Sequence, residues 1–286
     1  MNRSAIRHNK CQIMLLAVTL LLSGMVRAAP IAEAPPLQMG VLPFLSTEQL
    51  FRFFTPMRLY LEQKLGRQVV MSTAPDFRTY IARAAYADYD IYVTAPHFAL
   101  LAEQESGYRR VARMARLLDA VILVRKDDPA KRIEDLRGRR VASPNKLALT
   151  TILGEQILRE HGMQGGRDYE LQEALSHNNA FIRVVENDAD AALTSLAVLE
   201  HMPLPVRDRL RVLISMSQFP YLMIMAGPKL AEADYRALTQ ALLVFSNEGP
   251  GKEFFDFTGN KGIVPITQTD MDVFKPFLPI LKERMK

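Results

Sequence analysis

The sequence predicts an α/β fold of two lobes joined by two crossing strands, with a cleft between them. Three observations predict it. From Leu37 onward, short apolar runs of strand character alternate with amphipathic helical stretches, a βαβα rhythm that calls for a mainly parallel sheet covered by helices. The pattern changes at Tyr108–Arg125, whose apolar half Leu117–Val124 reads as a long strand, before a second series begins. Another apolar extended run, Tyr221–Ala226, precedes a helix-rich tail, so a chain that leaves lobe one and builds lobe two would return to finish lobe one. The expected segments are 37–124 for the first part of lobe one, 125–220 for lobe two and 221–286 for the completion of lobe one. The crossings are expected near Ala120–Arg125 and Tyr221–Ala226.

Leu37–Pro43 reads as the first strand. Ser46 with Gln49 forms a capping box that opens a helix, Thr55-Pro56 restarts it, and Gly66 ends it. Gln68–Ser72 is the next strand, followed by a helix from about Asp76 to Tyr86, strand Asp90–Thr94 and a helix from Pro96 to about Glu105. Leu117–Val124 is a long strand, and Lys126–Lys131 is turn-rich. The second series is strand Arg140–Ala142, a helix around Ala148–His161, strand Tyr169–Glu173, a helix after Ser176, and strand Ala191–Thr194 with another helix. Arg211–Ile214 is a further strand. A shift of 100 residues superposes Arg83 on Arg183, Asp88 on Asp188, Asp90 on Asp190 and Thr94 on Thr194, a faint internal echo consistent with two related lobes.

Composition excludes several classes. The chain has 286 residues, 49% hydrophobic and 23% charged, which is globular rather than disordered or fibrous. Its one cysteine, Cys11, can form neither an internal disulfide nor a multi-cysteine metal site. The formal net charge of +5 comes largely from residues 1–28, which hold Arg3, Arg7, Lys10 and Arg27 and no acid. The remainder is close to neutral, so nothing points to nucleic acid.

Residues 1–28 have the pattern of a secretory signal peptide. A basic start is followed by the uncharged run Ile13–Val26, too short for a spanning helix, and then by small residues. Val26-Arg27-Ala28 suits cleavage, with Ala32-Glu33-Ala34 as a second candidate; an uncleaved membrane anchor is the alternative. Cys11 precedes the apolar run, so it is not placed for lipidation.

In open α/β sheets, ligands sit at the carboxyl ends of strands, where helix N-termini present unpaired N–H groups and the positive end of a dipole. The candidate ligand-binding residues at those junctions are Phe44, Ser46 and Thr47 after the first strand, and Thr94 and His97 after Asp90–Val93. In lobe two they are Ser143, Asn145, Lys146 and Thr150, then His177 and Asn178, then Thr194, with Ser195 beside it. Hydroxyls, amides and two histidines with a single formal cation suit reversible capture of a small oxyanion, because such donors satisfy its oxygens without a strong ion pair. Each Ser, Thr or Asn taken singly is also an ordinary helix cap.

Catalytic signatures do not occur. There is no G-x-S-x-G, P-loop, G-x-G-x-x-G or H-E-x-x-H, and His97, His161, His177 and His201 lack metal-ligand spacing. Asp88/Asp90 and Asp188/Asp190 precede strands at the end opposite the cleft and read as turn formers. No enzyme, metal or cofactor is expected.

Several segments resemble a known family. "GVLPFLSTEQLFRFFTPMRLYLEQKLGRQVVMSTAPDFRTYI", "YDIYVTAPHFALLA", "RIEDLRGRRVASP" and "HNNAFIRVVENDADAALTS" are similar to the phosphate/phosphite/phosphonate-binding (PhnD-like) proteins of ABC importers. The resemblance covers about Leu37 to Phe257. It implies a type II, transferrin-like periplasmic binding fold and a role in handing a captured ligand to an inner-membrane ABC permease. It also implies that a loop at Ser143–Thr150 and His177 hold the ligand's phosphoryl end, with lobe-one contacts near Thr94 and His97. This loop departs from the family's hydroxyl-rich pattern: Pro144 removes one N–H donor. Two other roles stay open on the same scaffold, namely presentation of ligand status to a membrane sensor kinase and an enzyme such as a pyrimidine-precursor synthase.

Overall fold

The computed structural model describes residues 34–286. The expected signal peptide, residues 1–28, and both cleavage candidates up to Glu33 lie outside the described residues. In chain order the first series is β1 (Leu37–Val41), α1 (Thr47–Leu65), β2 (Val69–Ser72), α2 (Phe77–Ala85), β3 (Ile91–Thr94), α3 (Pro96–Ser106) and β4 (Arg109–Met114). The second is β5 (Leu117–Arg125), β6 (Arg140–Ser143), α4 (Leu149–Glu160), β7 (Glu170–Glu173), α5 (His177–Val185), β8 (Ala191–Ser195), α6 (Leu196–Glu200), α7 (Leu204–Arg207) and β9 (Leu210–Pro220). The chain ends with β10 (Met223–Ala226), α8 (Glu232–Val244), α9 (Gly249–Thr258), β11 (Ile263–Val264), α10 (Gln268–Asp272) and α11 (Leu278–Met285).

The strands form two sheets. The six-stranded sheet has order β11-β4-β10-β3-β1-β2, and the five-stranded sheet has order β7-β6-β8-β5-β9. In each, three parallel strands (β2-β1-β3 and β7-β6-β8) are extended by an antiparallel strand that arrives from the other part of the chain, β10 beside β3 and β5 beside β8. All nine residues of β5 belong to the second sheet. The chain therefore changes sheets at Ala115–Arg116 and again at Tyr221–Leu222, and the first passage falls earlier than the Ala120–Arg125 the sequence indicates. The reason is local: Leu117–Arg125 is a largely apolar strand flanked on both sides, by β8 and β9, whereas Ala115–Arg116 leaves the ladder between β4 and β5.

The 100-residue echo is a structural repeat. Asp76 and Ser176 cap α2 and α5 with their side chains, and both helices run nine residues. Ala87 and Asn187 then take left-handed backbone conformations, φ 55° and 67°. Asp90 Oδ2 accepts the Gln38 N–H at 2.8 Å, and Asp190 Oδ2 accepts the Arg140 N–H at 2.9 Å. These two carboxylates are thus more than turn formers: each pins the start of β1 or β6 beside its neighbour.

The expected restart at Thr55-Pro56 does not occur, for α1 runs through Pro56 without a break. Proline in a helix interior costs roughly 3 kcal/mol. Against that, α1 buries Leu50, Phe53, Phe54, Met57, Tyr60 and Leu61 along one stripe, at about 1.5–3 kcal/mol per side chain. The stripe wins. Capping follows the sequence at Ser46, whose side chain accepts the Gln49 N–H, and at Gly66, which ends α1 with φ 58°.

Candidate functional site

The carboxyl ends of β1, β3, β6 and β8 and the two sheet-changing passages meet around one cavity of about 50 Å³. A cavity needs about 10–15 Å³ by this measure to hold one water, so the space has room for a small guest. Its walls carry Leu42 and Phe44 after β1, Phe77 at the start of α2, and Ala95, Pro96 and His97 at the start of α3. From the second sheet come Ala148, Leu149 and Thr150 at the start of α4, His177 at the start of α5, and Ser195 and Val198. Leu118, Tyr221 and Leu222 contribute from beside the passages.

Two of the longer helices begin at the cavity without a side-chain cap. Four helices are capped by side chains, from Ser46, Asp76, Ser176 and Thr267. At α3 and α4 the N-cap residues are Ala95 and Ala148, which offer no side-chain acceptor. The N–H groups left without an intrahelical partner are that of His97 in α3, whose first residue Pro96 has none, and those of Leu149 and Thr150 in α4, because Phe98 and Thr151 donate to the Ala95 and Ala148 carbonyls; the dipole of each helix puts partial positive charge at the cavity wall. This is an arrangement for an anion.

The polar side chains on the wall are few. Thr150 Oγ1, Ser195 Oγ and His97 Nδ1 are buried and have no hydrogen-bond partner, and just behind the wall Ser143 Oγ is in the same condition. Burying such a group unpaired costs about 1–3 kcal/mol, which a bound ligand would recover. Among the described residues no Lys, Arg, Asp or Glu side chain lines the cavity.

Both cavity histidines are neutral at neutral pH. Burial drives the His97 imidazole down to about 4, although its hydrogen bond to the Leu147 carbonyl pulls the other way. Burial alone drives His177 down to about 4. His97 Nε2 lies 2.9 Å from the Leu147 carbonyl oxygen, which can only accept, so Nε2 carries the proton. His177 Nδ1 lies 2.9 Å from Thr194 Oγ1, a hydroxyl able to donate or accept. That hydroxyl leaves both His177 tautomers available. Burial also raises the Tyr221 phenol to about 12.

Of the twelve residues read from the sequence, Phe44, His97, Thr150 and His177 line the cavity. Thr94, Ser143 and Thr194 are fully buried just behind it; Thr194 positions His177, and the Thr94 hydroxyl neighbours that of Tyr92. The other five lie outside the wall. Ser46 caps α1, and Thr47 is exposed at its first turn. Asn145 Oδ1 accepts the Leu147 N–H inside its own turn, and Lys146 is exposed. Asn178 donates to Gln49 Oε1 at 2.7 Å, which ties α5 to α1. The wall is more apolar than junction chemistry implies. Phe77, Leu118, Leu149, Val198 and Tyr221 were not in that set, because apolar residues at a helix start read as core. Ser195 had a legible signal, a hydroxyl at the junction of strand β8 and the next helix.

Two parallel-centred sheets, joined by two passages and enclosing a cavity at helix N-termini, define a two-lobed ligand-binding protein. The chain matches the family model described as "ABC transporter, phosphonate, periplasmic substrate-binding protein" over residues 39–271, and it belongs to that family. Its function is therefore that of a periplasmic substrate-binding protein in ABC transport, and it is not an enzyme. Solved structures agree on the type II periplasmic-binding fold. A binding-protein component of an ABC phosphonate transporter from Pseudomonas aeruginosa superposes with TM-score 0.78 at 14% identity, covering 88% of this chain and 89% of that one. PhnD1 from Prochlorococcus marinus, in complex with methylphosphonate, gives 0.76 at 16% identity, with 87% and 97% covered. The periplasmic aliphatic sulphonate binding protein SsuA from Escherichia coli gives 0.62 at 16%, with 88% and 93% covered.

Proposed function

We propose that the chain captures a small phosphorus oxyanion with a short apolar substituent, a methylphosphonate-like ligand, and hands it to an inner-membrane ABC permease. Export through the leader at residues 1–28 is part of that reading. One observation carries it: Thr150, Ser195 and His97 hold unpartnered buried polar atoms on the largely apolar wall of a cavity of about 50 Å³, beside the N-termini of α3 and α4, which have no side-chain cap. The hydroxyls, His177 and the helix N–H groups would take the oxyanion. Phe44, Phe77, Leu149 and Tyr221 would take the substituent. Because these groups come from both sheets, the ligand would draw the lobes together and open again on delivery.

Thermal melting of the exported form with methylphosphonate, phosphite, phosphate and methanesulfonate tests the reading. A ligand that binds the folded chain raises its melting temperature by mass action. Methylphosphonate is expected to give the largest shift, reduced in Thr150→Val. No shift with any phosphorus oxyanion at millimolar concentration removes this ligand class.

A further inference from the structure

The His97 imidazole has a feature that anion capture by itself does not call for. Its Nε2–H is committed to the Leu147 carbonyl across the two sheets, so the other ring nitrogen, Nδ1, is a bare lone pair. That atom is buried and meets no donor, and the residue is 0% exposed on the cavity wall. A lone pair repels an oxyanion oxygen and attracts a ligand O–H. The remaining polar wall is adaptable: the Thr150 and Ser195 hydroxyls rotate, and His177 exchanges tautomers through Thr194. His97 is the exception, because its tautomer is set by a backbone oxygen.

We infer that His97 is a specificity-determining residue that reads a proton on the ligand, so that the cavity takes the singly protonated phosphonate, R–PO₃H⁻, in preference to the dianion and to sulfonates. The inference rests on the proposed phosphonate reading and adds to it the protonation state of the ligand. A sulfonate has the same tetrahedral shape and a single charge but carries no proton near neutral pH, so it would leave Nδ1 unpaired against an oxygen. Buried helix N–H groups without a partner cation also suit one negative charge better than two.

The surroundings support a neutral imidazole. The titratable groups that share the wall are His177 and Tyr221, and among the described residues no carboxylate, Lys or Arg lines it. Burial and the Leu147 carbonyl are the influences that set the basicity of His97, and no charged side chain contributes from α2, β10, α10 or the turn at 275–277 that pack on α3.

Calorimetric titration of the exported form with methylphosphonate and with methanesulfonate, from mildly acidic to mildly alkaline pH, decides it. Methylphosphonate is expected to bind about tenfold to a hundredfold more tightly than methanesulfonate. Its affinity should fall by about tenfold per pH unit above the ligand's second pKa, while methanesulfonate binding stays flat with pH. His97→Gln retains an amide donor for the Leu147 carbonyl and removes the lone pair at the Nδ1 position. It is expected to lose most of the preference and of the alkaline decline. The two wild-type titrations stand whether or not the variant folds. Equal, pH-independent binding of both ligands overturns the inference and leaves the phosphonate reading intact. Methanesulfonate binding that strengthens with acid to match methylphosphonate places the proton on His97 and also overturns it. Failure of both to bind overturns the ligand reading and this inference with it.

Discussion

His177 and Thr194 show how little chemistry a single residue decides unaided. His177 reaches the cavity because it is the first residue of α5, and its ring is oriented by a hydroxyl at the end of β8. Thr194→Val is expected to weaken methylphosphonate binding by about 1 kcal/mol in calorimetry through loss of that hydrogen bond, and to lower stability by about 1–3 kcal/mol in urea unfolding because His177 Nδ1 is left buried and unpaired. The buried imidazoles also set a pH dependence. Folded His97 and His177 sit at about 4 against 6.5 for the free side chain, so the unfolded chain takes up protons first as pH falls. Their stabilising effect is complete above about 6.5 and is lost between there and about 4, at about 3 kcal/mol each. Urea unfolding of the ligand-free protein should show midpoints falling through that window, and His97→Gln should flatten the fall. Away from the cavity, Asp90→Ala strands the Gln38 N–H and is expected to destabilise by about 1–3 kcal/mol in the same assay, with ligand affinity unchanged.

At the scale of elements, the start of α4 differs from those of α1 and α2. Ser46 and Asp76 close α1 and α2 with their side chains; where α4 meets the cavity, Ala148 leaves it open. Ala148→Ser would give α4 an acceptor of its own. The expected outcome has opposite signs, a gain of about 0.5–2 kcal/mol in unfolding free energy and weaker ligand binding, since the serine competes for the same N–H groups. A simultaneous gain in both would show that those N–H groups do not touch the ligand. Much of this level is legible in the sequence. The strand-to-helix junctions place His97, Thr150 and His177 correctly because β-strand ends and helix starts have local signals. Lys146 and Asn145 follow the same local grammar and yet turn outward. Which way a loop residue faces depends on partners distant in the chain, and a sequence window does not contain them.

Across the whole molecule, contacts tie the helices of the two sheets. Asn178 donates to Gln49, His97 donates to Leu147, and Arg284 on α11 donates to the Lys146 carbonyl at 2.6 Å and pairs with Glu155 on α4. Arg284 lies outside the cavity wall. If these contacts hold a ligand-bound arrangement, Arg284→Ala shifts the population toward the open one and lowers affinity several-fold with the wall intact. Calorimetry together with small-angle scattering would register that as weaker binding and a larger radius of gyration without ligand.

The sequence by itself determined the α/β class, the two series of strands and helices, their 100-residue echo and the family. The first three follow from periodicity, caps and short-range spacing, which are local properties of the chain, and the family follows from the resemblance of four of its segments to known members. Only the tertiary structure decided that β5 lies wholly in the second sheet, that α1 passes through Pro56, and that the cavity wall is mostly apolar with a lone pair at His97. Those outcomes depend on burial and on hydrogen-bond partners 50 residues or more apart, such as His97 with Leu147 and Gln49 with Asn178. Long-range pairing of that kind is settled when the sheets pack, because only then does each buried group meet, or fail to meet, a partner.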